Sequence, residues 1–394
     1  KAGYLVRAAD LTAKHGRDER TALELYEVAL STDPSNRDAA RALAQMLAND
    51  PKRLLEHLRP ALEQTSGKEQ VILLGTEVGN AYLKLAQQEG EAARIDYAPG
   101  IQAVRRVLTQ NADDVATLFL LSKLYGAQKA WGEARETLQH IAEVAGTSDS
   151  KTRQRALFSL ADLYEGPLGD LKLAEATLVS VLSTEPSNKT ALERLYSIGA
   201  KSGDKQLARS SLERLAEFET DLSQRTEYQL RVAEVCREGN DGAAILRALP
   251  DAIVSLPADL RAWTLLSRLY RADTQDGAAG LAHAIEQIVE MAKARRRPVE
   301  TRWLVTLGLL QVNMLKRHTD GLANLHAAVS ASATSGPAHP EVRAALGSGL
   351  LSAGRNKEAI QVLRELVTSD AETLLRLAEP SAFSTVRTAT VAAT

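Results

Sequence analysis

The chain has 394 residues, 44% of them hydrophobic and only 4% aromatic, and its formal net charge is −2. This near-neutral charge does not suggest a general polyanion binder. The one cysteine, Cys236, excludes an internal disulfide framework and a multi-cysteine metal site. The nearest candidate for a membrane span, residues 303–315, is shorter than the roughly 18 apolar residues required and contains Gln311 and Asn313. We therefore expect no membrane insertion.

The two ends of the sequence suggest a piece of a longer chain. It opens on Lys1, inside a helical pattern and without a methionine, and residues 381–394 are rich in Ser, Thr and Ala. We expect residues 368–394 to form a terminal helix followed by a frayed or truncated tail. The first residues lack the apolar core of a secretory signal, and we expect a cytoplasmic location. The Ala- and Arg-rich composition is compatible with a bacterium of high GC content.

Two nearly identical hexapeptides separate helical patterns. Residues 31–36 read Ser-Thr-Asp-Pro-Ser-Asn, and residues 183–188 read Ser-Thr-Glu-Pro-Ser-Asn. Proline cannot continue the preceding helix, and asparagine is a favoured N-cap for the next one. The same boundary used twice indicates an internal repeat.

The length of the repeat is clearest in residues 115–148, a span of 34 residues. Its first half has an apolar face at i, i+3, i+4 and i+7, and its second half has another such face after a break. The two faces consist of Leu118, Leu121, Ser122 and Tyr125, followed by Ala134, Leu138 and Ile141. This spacing predicts two helices joined by a turn. The two hexapeptides start 152 residues apart, which is not a multiple of 34, so we expect irregular unit lengths.

A period of 34 residues is typical of the tetratricopeptide repeat (TPR). Trp263, Leu266 and Tyr270 reproduce the family's Trp-x2-Leu-Gly-x2-Tyr signature, with Ser267 in place of glycine. The phase of the pattern can be followed over nearly the whole chain, which therefore resembles the TPR family.

This resemblance implies an all-α fold, a right-handed superhelical solenoid of helix–turn–helix repeats with an extended concave surface. We predict a single array over residues 3–367, with about ten units that start near residues 3, 37, 72, 115, 154, 189, 226, 260, 301 and 340. An insertion near residues 87–98 interrupts the third unit. Small residues at position 8 of each unit would let the paired helices approach, and large residues elsewhere would fill the remaining space.

The sequence contains no catalytic constellation that we recognise. It has no Gly-rich phosphate loop with lysine, no Gly-x-Ser-x-Gly motif and no His-Glu-x-x-His motif. Its seven histidines include no i, i+4 pair. The nearest glycine cluster, Gly347, Ser348 and Gly349, falls in a predicted repeat helix, where it suits close packing. We therefore expect no enzymatic activity, no cofactor and no metal ion.

In the TPR family, side chains at positions 2, 5, 9 and 12 of each first helix tend to face the groove. The resemblance therefore implies two groups of partner-binding residues. The first group is Phe119, Lys123, Arg155 and Phe158, and the second is Arg237, Arg261, Arg268, Arg271 and Arg302. Residues 260–317 contain ten Lys or Arg and five Asp or Glu.

A cationic groove would attract an acidic or phosphorylated segment. The alternative is a solvated basic face whose arginines pair with neighbouring acids. For Phe119 and Phe158, the alternative to a role as apolar anchors is burial between adjacent repeats.

Three functions remain open at this point. The first is a non-catalytic scaffold or adaptor that binds a peptide, a helix or a small folded partner on the concave face. The second is a regulatory or docking segment of a larger enzyme or cell-envelope machine. The third is nucleic-acid binding through the Arg-rich units, which the near-neutral net charge disfavours. We expect a protein or peptide partner of acidic character and no nucleic acid.

Overall fold

The structure is a computed structural model, and it describes residues 1–16, 18–90, 94–238, 242–270, 272–333 and 339–369. Three of our predictions therefore fall wholly or partly outside the described residues. These are Arg271, the middle of the insertion near residues 87–98, and the terminal segment 368–394 from residue 370 onward.

The chain divides into two compact units, Lys1–Ala191 and Leu192–Thr394. The helices of the first unit are α1 (Ala2–Leu11), α2 (Glu19–Thr32), α3 (Arg37–Met46), α4 (Pro51–Gln64), α5 (Lys68–Glu89), α6 (Ala98–Leu108), α7 (Val115–Ala127), α8 (Trp131–Ala145), α9 (Ser150–Glu165) and α10 (Leu171–Thr184). A π-helical turn, Thr12–Gly16, follows α1.

The next helix, α11 (Lys189–Ser202), begins at the boundary between the units. The helices that follow in the second unit are α12 (Lys205–Phe218), α13 (Leu222–Glu238), α14 (Gly242–Ser255), α15 (Leu260–Leu269), α16 (Gln275–Ala294), α17 (Thr301–Leu309), α18 (His318–Ser332), α19 (Pro340–Ser352) and α20 (Asn356–Ser369). A π-helical turn, Leu310–Met314, extends α17.

Consecutive helices pack against each other within each unit. In the first unit α7 packs on α8, α8 on α9 and α9 on α10, and in the second unit α13 packs on α14 and α17 on α18. The turns between paired helices are short, which makes neighbouring helices antiparallel. Within the described ranges all regular structure is helical, and the predicted all-α architecture of helix–turn–helix repeats is confirmed.

The hexapeptide turns end one helix and begin the next as the sequence predicts. α2 ends at Thr32 and α10 at Thr184, and each turn contributes the N-cap of the following helix. The side-chain oxygen of Asn36 accepts a hydrogen bond from the N–H of Ala39 at 3.0 Å. The same oxygen of Asn188 accepts one from the N–H of Ala191 at 2.9 Å. Each cap satisfies a backbone donor that has no partner inside the helix.

The two turns differ at their acidic residue. Asp33 accepts a hydrogen bond from the backbone N–H of Ser35, within its own turn. The longer Glu185 accepts hydrogen bonds from the side chains of Asn188 and Gln154, which lower the pKa of this exposed carboxyl. Because Gln154 belongs to α9, the second turn is tied to the preceding helix pair.

Small residues lie where paired helices cross, at position 8 of the predicted units. A Cβ atom on Gly79 would lie 2.5 Å from the Cγ2 atom of Val104 in α6. One on Gly308 would lie 2.8 Å from the carbonyl oxygen of Gly321 in α18. A backbone atom cannot yield as a flexible side chain can, so the α17–α18 pair requires glycine for its close approach.

No helix among the described residues has both the length and the apolar character needed to cross a membrane. This finding covers the apolar run at residues 303–315, which the structure divides between α17 and the π-helical turn Leu310–Met314.

Candidate partner-binding cleft

A cleft between α7 and α9, with α8 as its floor, brings several of the predicted binding residues together. We call it the α7–α9 cleft, and its volume is about 160 Å³. Its lining residues are Phe119, Ser122 and Lys123 from α7, Ala134 and Leu138 from α8, and Arg155, Ser159, Asp162 and Leu163 from α9.

Aspartate N-caps fix the start of both helices that form the walls. Asp114 accepts a hydrogen bond from the N–H of Thr117 at 2.9 Å and caps α7. Asp149 accepts one from the N–H of Thr152 at 3.0 Å and caps α9. Hydrogen bonds from the side chain and backbone of Thr152 lower the pKa of the exposed Asp149 carboxyl.

Helical periodicity then places the lining residues on the inner faces. Phe119 and Lys123 are four residues apart on α7, and Arg155, Ser159 and Asp162 follow the i, i+4, i+7 spacing on α9. The polar side chains of one helix therefore face those of the other across the cleft.

The side chain of Arg155 rests on the ring of Phe119. Its guanidinium carbon lies 4.4 Å from the ring centroid, which is a cation–π contact between α9 and α7. Phe119 is buried and forms part of the wall, whereas Arg155 is exposed. The ring is thus buried between adjacent helix pairs and also lines the cleft, and its role as an apolar anchor for a partner stays a prediction.

The two cations of the cleft have no acidic partner in the described part of the chain. Neither Lys123 nor Arg155 has a nitrogen within 4.0 Å of a carboxylate oxygen there, and both side chains are exposed. Phe158, the fourth member of the predicted first group, is half-buried and does not line the cleft. The structure therefore brings together three of the four residues.

Two members of the second predicted group, Arg261 and Arg302, are engaged within the protein. Arg261 contacts Glu227 at 2.8 Å and Asp259 at 2.7 Å. Hydrogen bonds to Asp259, and then to Glu227, raise the pKa of Arg261, and the same bonding lowers the pKa of Asp259. Arg302 is half-buried and donates a hydrogen bond to the carbonyl oxygen of Pro257.

Two members of the second group remain exposed. Arg237, near the end of α13, and Arg268, in the last turn of α15, have no ion-pair partner among the described residues. Arg271 lies outside the described residues. Neither Arg237 nor Arg268 lines the α7–α9 cleft.

A buried ionic cluster in the second unit is absent from the sequence predictions. Asp251, in α14, accepts a hydrogen bond from Arg225 at 3.0 Å and also contacts Arg295 and Gln229. The Arg-rich run at residues 295–297 indicates a basic surface by itself, but Arg295 neutralises this carboxylate.

Comparisons with known proteins give a likeness in fold. No family model matches the sequence, and no curated protein matches it. Among solved structures it is similar to YrrB, a TPR protein with an unusual peptide-binding site, at 18% identity over 49% of this chain and 91% of that one, with a TM-score of 0.35. It is also similar to the C-terminal part of a TPR repeat-containing protein from Cytophaga hutchinsonii, at 12% identity over 66% and 98% of the two chains, with a TM-score of 0.42.

A third similar structure is a tetratricopeptide repeat protein from Parabacteroides merdae, at 12% identity over 89% of this chain and 98% of that one, with a TM-score of 0.34. Each of these TM-scores is below one half, so the description of the fold as consecutive packed helix pairs rests on the helix packing within this chain.

Close helix packing also accounts for the glycine cluster near the end of the chain. A Cβ on Gly347 would lie 2.7 Å from Leu363, and one on Gly349 would lie 2.5 Å from Leu325. Both glycines therefore serve helix packing. No group of three or more His, Cys, Asp or Glu side chains is placed to hold a metal ion within the described ranges.

The sequence predictions missed Ser159 and Asp162, which line the cleft on α9. A signal for both was present, because they follow Arg155 by four and seven residues. Residues at these spacings share a helix face with Arg155.

Proposed function

We propose that this chain is a non-catalytic protein-interaction scaffold that binds a partner segment in the α7–α9 cleft. The observation that carries the proposal is the meeting of Phe119, Lys123 and Arg155 in one open concavity. In the same molecule two of the five arginines of the second predicted group, Arg261 and Arg302, already have internal partners. Cations that have no carboxylate partner among the described residues, beside an apolar wall, are available to an incoming ligand.

The cleft is built on rigid elements. Its walls are helices with capped N-termini, and the guanidinium of Arg155 stacks on the ring of Phe119. A preformed site loses less side-chain entropy on binding than a flexible one. These features suit a partner of acidic character, and α7 and α9 are first helices of their predicted units, which supports a site on the concave face.

The test is affinity capture with the full chain as bait, followed by mass spectrometry. Reversal of both cations, in Lys123→Glu with Arg155→Glu, should abolish capture of at least one partner. The control reverses two exposed lysines of the first unit outside the cleft, in Lys68→Glu with Lys172→Glu, and has the same change in net charge. The control should retain the partner. Equal capture by the wild type and the cleft variant contradicts the proposal.

We also retain two broader predictions as proposals. Residues 3–367 form one array of about ten units, which stepwise removal of terminal helix pairs would test through graded losses of helicity. The chain resides in the cytoplasm, which subcellular fractionation would test. Recovery in a membrane or envelope fraction would contradict that location.

A further inference from the structure

We propose that the α7–α9 cleft recognises an extended peptide segment in which one carboxylate side chain and one apolar side chain are two residues apart. This inference rests on the proposed function and names the chemistry of the segment that binds there. It commits to the carboxylate of an Asp or Glu side chain, as opposed to a phosphorylated residue.

Arg155 has the geometry for a carboxylate. One face of its guanidinium is covered by the Phe119 ring, at 4.4 Å from the centroid. The N–H groups of a guanidinium lie in its plane, so stacking leaves its edge available for two parallel hydrogen bonds to one carboxylate. Lys123, on the facing helix, adds a second cation to the same cleft.

The charged side chains of the lining favour a single carboxylate. Two cations, Lys123 and Arg155, and one acid, Asp162, line the cleft. A phosphorylated side chain carries about −1.5 to −2 at neutral pH and would place its excess charge beside Asp162. The acid in the wall therefore favours the singly charged ligand.

The remaining lining accepts one apolar side chain. Phe119, Ala134, Leu138 and Leu163 supply the apolar wall. The volume of about 160 Å³ is close to that of an engineered protein cavity that binds benzene. It is smaller than the roughly 300 Å³ at which pockets for drug-sized ligands begin. The cleft therefore accommodates one side chain up to the size of phenylalanine.

The spacing of the two ligand groups follows from backbone geometry. In an extended peptide successive side chains point to opposite sides, and residues i and i+2 point to the same side. A carboxylate and an apolar group that enter one cleft together are therefore separated by one residue. The order of the two is open, so both acid-x-apolar and apolar-x-acid sequences fit.

The experiment begins with selection from a random library of twelve-residue peptides, with the full chain as bait. The selected peptides should share an Asp or Glu two residues from Leu, Ile, Met or Phe. Affinity of the most enriched peptide is then measured by fluorescence anisotropy, together with variants that carry Gln or phosphoserine in place of the acid, or Ala in place of the apolar residue. Each variant peptide should bind about ten-fold more weakly or worse.

Protein variants locate the contact. Arg155→Gln should weaken the selected peptide about ten-fold, and Arg155→Lys should weaken it nearly as much because the planar fork is lost. The side chain of Arg155 is exposed, so neither replacement should prevent folding. Lys172→Gln, on the exposed surface of α10, is the control and should leave affinity unchanged.

The results separate this inference from the proposed function. Selection that yields no peptide, peptides without the acid-and-apolar pair, or tighter binding of the phosphoserine peptide each overturns the inference. The scaffold proposal survives those results as long as the double reversal in the cleft still abolishes capture from lysate. Retained capture by that double variant overturns the scaffold proposal itself.

Discussion

The two cations of the α7–α9 cleft in the first unit differ from three arginines of the second unit in whether they already have a partner. In the first unit, Lys123 and Arg155 line an open cleft without a carboxylate partner in the described residues. In the second unit, Arg261 and Arg295 are paired with acids, and Arg302 binds a backbone carbonyl. The second unit nevertheless contains residues 260–317, where ten Lys or Arg outnumber five Asp or Glu.

Local charge count is therefore a poor guide to a binding surface. What matters is whether a cation has already been neutralised within the fold. Arg261 illustrates the point, because its partner Glu227 precedes it by 34 residues, which is one repeat period. Acidic and basic side chains at equivalent positions of successive repeats become neighbours when the repeats stack.

Among the substitutions that test this contrast between the units, the one at Asp251 should have the largest effect on the free energy of unfolding. Asp251→Ala removes the acceptor shared by Arg225, Arg295 and Gln229 and leaves the half-buried Arg225 and the buried Gln229 without it. We expect the free energy of unfolding to fall by about 3 kcal/mol, as measured by urea unfolding followed by circular dichroism. Glu290→Ala is the control, since its contact with Lys293 is exposed and should contribute less than about 0.5 kcal/mol. A similar small loss at Asp251 would show that the cluster is not structural.

Two arginines of the second predicted group, Arg302 and Arg268, should differ in their contribution to stability. Arg302→Ala loses a hydrogen bond to the Pro257 carbonyl and should lower the free energy of unfolding by about 1–2 kcal/mol. Arg268→Ala, at an exposed site without an ion pair in the described residues, should change it by less than about 0.5 kcal/mol. Equal losses in the two variants would remove the distinction.

The cleft cations should be dispensable for folding. Lys123→Gln with Arg155→Gln removes only exposed charges and one cation–π contact, so we expect a loss of at most about 1 kcal/mol. Thermal unfolding, monitored by circular dichroism beside the peptide-affinity measurement, would check this. A loss as large as that of Asp251→Ala would assign Lys123 and Arg155 a structural role and weaken the contrast between the units.

The smallest expected effect is that of a substitution at Glu77 in the first unit. Unlike Asp251, Glu77 has no ion pair with an arginine among the described residues. Burial raises the pKa of Glu77, in α5, and Lys84 lowers it to a smaller extent. A raised pKa in the folded state means that stability is greatest below the usual value of 4.5 and is lost as the pH rises through the raised value. Glu77→Gln should therefore raise Tm at pH 7 and leave it unchanged at pH 4. Exposed Glu63→Gln is the control, and a rise in Tm at both pH values would contradict the burial argument.

Much of the cleft was predictable from the sequence, although its boundaries were not. The repeat phase placed Phe119, Lys123 and Arg155 at groove-facing positions of first helices, and the structure brings them together in one cleft. It also predicted Phe158, which does not line the cleft, and it omitted Asp162, whose charge bears on ligand choice. Position within a repeat gives the direction of a side chain, but the width of the cleft depends on how α7, α8 and α9 pack against one another.

The sequence by itself determined the elements and their pairing. Proline and asparagine in the hexapeptides fixed where helices end and begin, and glycine at positions such as Gly308 fixed where helices can cross. These effects act over a few residues or through a single missing side chain. Only the tertiary structure decided which cations are free, because the partners of Arg261 and Arg302 lie 34 and 45 residues away along the chain. Whether such groups meet depends on the stacking of successive helix pairs, which local propensity does not specify.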